Sequence, residues 1–250
     1  VDLGVDPSLE FVATSGKRGP RPVHKSSYYP WMGTGVMRSD WERDASYLMC
    51  DMGPLGDIHA HEAKLAIEVA AYGRALIVDK GVHTYSREGR HHRWFRFLGG
   101  TRGHNTVTVD GLCQMRLAGE ETSLAEPTDN NWHTSTVCDY LSGQYDEGWG
   151  PVQYTEPMRT SNLPPPFDGE IDVWVTHRRT VLHVKAAGDE DFGYWLISDR
   201  ITSCSEHRYE QLFHFIPVES SLDVSNRSIR TTTDGEANIA LLGVDRDGIE

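Results

Sequence analysis

From Gly35 onward the sequence breaks into short apolar runs separated by turn residues: Tyr47–Met52, Leu65–Ala71, Ala75–Val78, Thr106–Val109, Ile171–Val175, Thr180–Val184, Tyr194–Ile197 and Gln211–Val218. Runs of this length suit strands better than helices, and several alternate with a period of two. Leu65, Ile67 and Val69 fall on one face, and Ala66, Glu68 and Ala70 on the other. Successive strand side chains project to opposite sides, so this pattern suits an antiparallel sheet packed on one face. Leu65–Tyr72 is also rich in helix formers, but the neighbouring strands and Gly73 favour a strand. No long amphipathic helix is evident. The expected fold is mostly β, a large antiparallel β-sandwich.

The first 30 residues differ, with Gly, Pro, Ser and Lys in quick succession, as in Ser15-Gly-Lys-Arg-Gly-Pro-Arg-Pro22. They read as a linker over 1–30, with the sandwich over 31–250. With 250 residues, 38% hydrophobic and 10% aromatic, the chain has enough apolar surface for a substantial core. No run approaches the roughly 18 apolar residues of a membrane span, and the N-terminus lacks a signal-peptide pattern. The chain begins with Val1 rather than Met, which suggests a piece of something longer. Cys50, Cys113, Cys138 and Cys204 are too scattered for a zinc ribbon or a disulfide scaffold, and leave the redox compartment open.

A net charge of -13 argues against nucleic-acid or anionic-membrane partners, which need basic surface. One segment runs the other way. Lys80, Arg87, Arg90, Arg93, Arg96 and Arg102 cluster with His83, His91 and His92 against the single acid Glu88. This basic island is either a solvated charged loop or a local site for an anionic ligand.

The segment Gly56-Asp-Ile-His-Ala-His61 sets two imidazoles one residue apart. On a strand both rings face the same side, an arrangement that suits a metal. Zinc takes imidazole nitrogens and carboxylate oxygens, and an open site needs three protein ligands. Asp79 and His104, both at strand ends, are candidates for the third. His61-Glu-Ala-Lys-Leu65 begins like H-E-x-x-H but ends in Leu, which excludes that motif. Gly53, His59, His61, Glu68 and Gly73 partly match a cupin motif with Glu68 misplaced, so a cupin-like metalloenzyme is the first alternative. A non-catalytic carbohydrate-binding β-domain, with aromatics such as Trp94 stacking on sugars, is the second.

Four ordered motifs resemble the C-terminal β-sandwich of the heparinase II/III-like polysaccharide lyases. They are Gly33-Thr-Gly-Val-Met-Arg-Ser-Asp-Trp41, the Gly56–His61 segment, Tyr72-Gly-Arg-Ala-Leu-Ile-Val-Asp-Lys-Gly81 and Gly103-His-Asn-Thr-Val-Thr-Val-Asp-Gly111. Weaker similarity continues through His177-Arg-Arg-Thr180, Trp195-Leu-Ile-Ser-Asp-Arg200 and Phe213-His-Phe215. The resemblance implies β-elimination on a uronic-acid polysaccharide, an anionic partner. A base removes the C5 proton, the bond from C4 to the leaving oxygen breaks, and an acid protonates that oxygen.

The resemblance also implies roles. His61, Asp79 and His104 match zinc ligands, and His59 matches a catalytic histidine facing the reacting sugar. Tyr85 and Arg102 fall where substrate-binding residues are expected, Arg102 offering a planar fork for a carboxylate. The zinc is expected to brace the cleft rather than act as Lewis acid. Ala63 stands where the family usually has Asp, and Lys80 where it has Pro, which puts substrate contacts there in question. The family's tyrosine acid/base and its Asn or His neutraliser belong to an N-terminal α/α-toroid domain that these residues do not include. The expectation is therefore an incomplete lyase, periplasmic or secreted, inactive without its helical partner domain.

Overall fold

The computed structural model describes residues 6–55, 61–81, 90–115, 126–151, 171–186 and 193–244. A short helix, α1 (Ser8–Ala13), precedes a five-stranded antiparallel sheet built in chain order from β1 (Ser27–Tyr29), β2 (Thr34–Arg38), β3 (Tyr47–Asp51), β4 (Ile67–Ala71) and β5 (Arg74–Ile77). Then come α2 (Arg90–Gly99), a 3-10 turn over Thr101–Gly103, β6 (Val107–Val109), β7 (Cys113–Gln114), β8 (Asn131–Thr134), β9 (Cys138–Tyr145) and β10 (Trp149–Gly150). The chain continues through β11 (Thr176–Val184), β12 (Tyr194–Thr202), β13 (Tyr209–Gln211), β14 (Ser220–Asp223), β15 (Ser228–Thr231) and β16 (Ala240–Leu242). A four-stranded sheet has the order β12-β11-β9-β8, and β6 pairs with β13. The mostly antiparallel β architecture is as the sequence predicts.

The alternation seen in the sequence is the alternation of burial. β2, β3 and β4 bury Met37, then Leu48 and Cys50, then Ile67, Val69 and Ala71, while their alternate residues stay partly open. All of these except Ala71 share one core cluster with Leu141, Tyr145 and Val181 of the second sheet, so the two sheets pack face to face. Contact is close at Gly35, where an added Cβ would come within 2.4 Å of Leu141 Cδ2. Trp149, fully buried, meets Tyr145 edge-on at 5.1 Å and donates its indole N–H to the Val175 carbonyl at 2.9 Å.

Several expectations shift. The basic island contains a ten-residue helix, α2, rather than only loop. Ile171–Val175 is not a strand but contributes one isolated bridge, Val173 to Trp149. Gln211–Val218 is strand only at its start, with a further bridge from Phe215 to Ile77. β11 and β12 extend well past the apolar runs predicted for them, because their paired ends carry polar residues.

β11 also turns polar residues inward: His177, Arg179 and His183 are fully buried beside Val181. Arg179 makes a two-pronged pair with Asp199, Nε to Oδ1 at 2.7 Å and Nη2 to Oδ2 at 2.8 Å. His177 Nε2 donates to the same carboxylate at 2.7 Å. Arg179 Nη1 reaches across the sandwich to the carbonyls of Leu65 at 2.8 Å and Asn105 at 2.6 Å. Leu65 has a φ of 68°, a strained value for a leucine, and its buried side chain and clamped carbonyl hold it there.

Candidate functional site

Three segments meet where β5 ends and β6 begins. Asp79 lies two residues past β5, whose exit is fixed by Val78 N–H donating to the His214 carbonyl at 2.9 Å. His104 follows the 3-10 turn after α2, its N–H donating to Thr101 O at 3.1 Å. Gly103 permits that turn, since a Cβ there would stand 2.4 Å from the Phe97 carbonyl. The third segment carries His61. It is pinned by Glu62 N–H to Gly99 O at 2.9 Å and by Lys64 N–H to Gln114 Oε1 at 2.8 Å.

The result is a cluster of possible metal donors, with His104 buried and His61 and Asp79 partly open. Both Asp79 carboxylate oxygens lie 2.8 Å from His104 Nδ1. The His61 and His104 rings are 5.1 Å apart between centroids, tilted by 44°. His104 is 1% exposed, and its Nε2 is buried without a hydrogen-bond partner among the described residues. A buried ring nitrogen without a partner costs about 1–3 kcal/mol.

Two imidazoles and a carboxylate are the donor set zinc prefers, and in kind these residues fit it. Among the described residues no three His, Cys, Asp or Glu side chains stand as a finished metal cage. As placed, Asp79 instead orients His104 through Nδ1, the way a carboxylate commonly supports a metal-binding histidine.

The other predicted site residues fall differently. His59 and Tyr85 lie outside the described residues. Arg102 is half-exposed and already forked onto Glu210, Nη1 to Oε2 at 2.9 Å and Nη2 to Oε1 at 3.3 Å. That pairing holds the Glu210 carboxyl below its usual range, and a sugar carboxylate must displace Glu210 to use Arg102. Trp94 is 44% exposed on α2, edge-on to Phe97 and beneath the Arg93 guanidinium at 5.5 Å.

Two residues without a sequence-assigned role stand at the centre. Asn105 is fully buried, and its side chain bonds to Ile67, Val78 and His214. His214 is half-buried, and burial pushes its pKa down, with Asp79 opposing. Both fall inside motifs quoted for the family resemblance. Nothing in residue type or spacing distinguishes an amide that braces a site from one in a loop.

Comparison with known proteins follows this geometry. A 138-residue stretch is 27% identical to a heparin-sulfate lyase of Pedobacter heparinus, covering 54% of this chain and 19% of that protein. A 125-residue stretch is 30% identical to a heparin-sulfate lyase of Bacteroides stercoris, covering 49% and 18%. The chain thus spans about a fifth of the length of these curated relatives. Among solved structures, heparan sulfate lyase from Pedobacter heparinus superposes with a TM-score of 0.70 at 20% identity, over 97% of this chain and 32% of that one. That likeness speaks for the fold. The family model described as Heparinase II/III-like, C-terminal, matches residues 21–249, and the chain belongs to that family as its C-terminal β-sandwich domain.

Proposed function

We propose that this chain is the C-terminal domain of a polysaccharide lyase that cleaves a sulfated, uronic-acid-containing glycan of the heparin or heparan sulfate type by β-elimination. The curated relatives named heparin-sulfate lyases support the substrate class. The single observation that carries the site is the Asp79 carboxylate on His104 Nδ1 beside the His61 ring, at the C-terminal end of a helix exposing Arg93 and Trp94. Against a net charge of -13, that local positive surface suits an anionic chain.

In this reading zinc would be held by His61, His104 and Asp79, whose carboxylate gives up its contact with His104 Nδ1. Bound there, it supplies a fixed brace between three loops and positive charge beneath the glycan. We assign His59 a role toward the reacting sugar and Tyr85 one in glycan binding, and Arg102 exchanges Glu210 for a uronate carboxylate. Proton removal from C5 and protonation of the C4 oxygen need further groups, which we assign to a helical domain of the full-length enzyme. We expect such an enzyme to work in the periplasm or outside the cell, where a large anionic glycan is met.

The chain should retain about one zinc after exhaustive dialysis. His61→Ala, Asp79→Asn and His104→Ala should each lose it, while His59→Ala keeps it. Equal loss in His59→Ala and His61→Ala favours the cupin-like ligand set instead. The full-length protein should release unsaturated uronate from heparan sulfate, seen as ultraviolet absorbance of the new C4–C5 double bond, and the 250-residue chain alone should release little. Glycan binding by the full-length protein without any such product would instead mark a non-catalytic binding domain.

A further inference from the structure

We propose that Asn105 is the positioning residue of this site, setting the separation of Asp79 and His104 before any ligand arrives. Its importance for zinc rests on the reading above, but its geometry does not. Asn105 is fully buried and uses its entire side-chain hydrogen-bonding capacity. Nδ2 donates to the carbonyls of Ile67 at 2.8 Å and Val78 at 3.0 Å. Oδ1 accepts from the backbone N–H of His214 at 2.6 Å and from His214 Nδ1 at 3.1 Å.

The consequence follows from chain position. Val78 immediately precedes Asp79, and Asn105 immediately follows His104. Val78 is held at both polar groups, its N–H by the His214 carbonyl and its carbonyl by Asn105. The Asn105 carbonyl is held in turn by Arg179 Nη1 at 2.6 Å. The two peptides flanking the site are therefore locked to each other, to β4 through Ile67 and to the second sheet through Arg179. Asp79 and His104 each stand next to a residue whose backbone is tied down.

The same bonds fix a tautomer. Two carbonyl partners leave no doubt which end of the amide is nitrogen, so Oδ1 faces His214. His214 Nδ1 must then carry the proton, which leaves Nε2 as the acceptor nitrogen of a neutral ring. That is a spectroscopic signature independent of activity.

The test uses the 250-residue chain, labelled with nitrogen-15 and studied in EDTA and then with zinc. Expected in EDTA are a His214 ring protonated at Nδ1 and Asn105 side-chain amide protons protected from exchange, both unchanged when zinc is added. Amide protons that exchange freely until zinc arrives, or a His214 protonated at Nε2, overturn the proposal. In a second arm, Asn105→Ser is compared with the wild type by chelator competition. A folded variant should bind zinc about 10–100-fold more weakly, whereas the core control Met37→Leu binds as wild type does. Wild-type affinity in folded Asn105→Ser overturns the proposal. If the serine variant does not fold, the tautomer and exchange measurements decide. If the wild-type chain takes up no zinc, the zinc reading fails, and the same measurements still judge Asn105.

Discussion

Arg179 shows what a single buried charge demands of its surroundings. Its guanidinium is fully enclosed, paired with Asp199 and bonded to two carbonyls from another part of the chain. Replacing only Arg179 strands the Asp199 carboxylate and both carbonyls in a site water reaches poorly. Arg179→Ala should therefore destabilise the fold by about 3–5 kcal/mol in urea titration. The double replacement Arg179→Met with Asp199→Leu removes both charges and should lose clearly less than the alanine variant. An alanine variant as stable as the wild type would show the pair to be idle. None of this was legible beforehand. Alternation puts His177, Arg179, Val181 and His183 on one face, but a face with three polar residues reads as the solvent side until Asp199 is known to lie across from it.

At the level of elements, the strands were readable where their inward positions are apolar and obscure elsewhere. The run predicted over Leu65–Ala71 is strand from Ile67 on, because Ile67 and Val69 fill the core between β3 and β5 and outweigh the helix formers, whereas Leu65 turns the chain with a positive φ. α2 was missed because its basic residues obscure the apolar side formed by Phe97 and Leu98. That helix matters to the site, since its last turn leads through Gly103 to His104. Gly103→Ala places a methyl against the Phe97 carbonyl, a backbone atom that cannot rotate away, so helix and turn must separate. We expect a loss of about 1–3 kcal/mol by thermal denaturation, together with weaker zinc retention. A variant that melts and binds metal like the wild type would show that the turn has slack there. The meeting of His61, Asp79 and His104 was legible through the motifs that carry the family resemblance. The amide that braces it was not.

The molecule as a whole carries a pH dependence whose sign the buried groups set. Burial pushes the His177 imidazole below its ordinary value, with Asp199 partly opposing. His214 is shifted the same way for the same first reason. A histidine depressed by folding takes up its proton more readily when unfolded. Its contribution is complete above about pH 6.5 and drains away as pH falls through the folded value. For Asp199, burial alone would raise the carboxyl, but the Arg179 guanidinium and the bonds from Arg179 and His177 outweigh it and hold it well below the usual range. That contribution is intact above about pH 3.9 and is lost only below it. Glu68, half-buried and raised first by burial and then by Asp79, works in the opposite sense. Metal-free protein in EDTA should therefore show level stability from about pH 8 to 6.5, and then a decline of up to about 1.4 kcal/mol per pH unit for each proton taken up on unfolding. A second decline should set in below about pH 3.9. Urea midpoints measured across that range decide it: stability that climbs between about pH 6.5 and 5 would mean that the buried imidazoles are charged in the folded state.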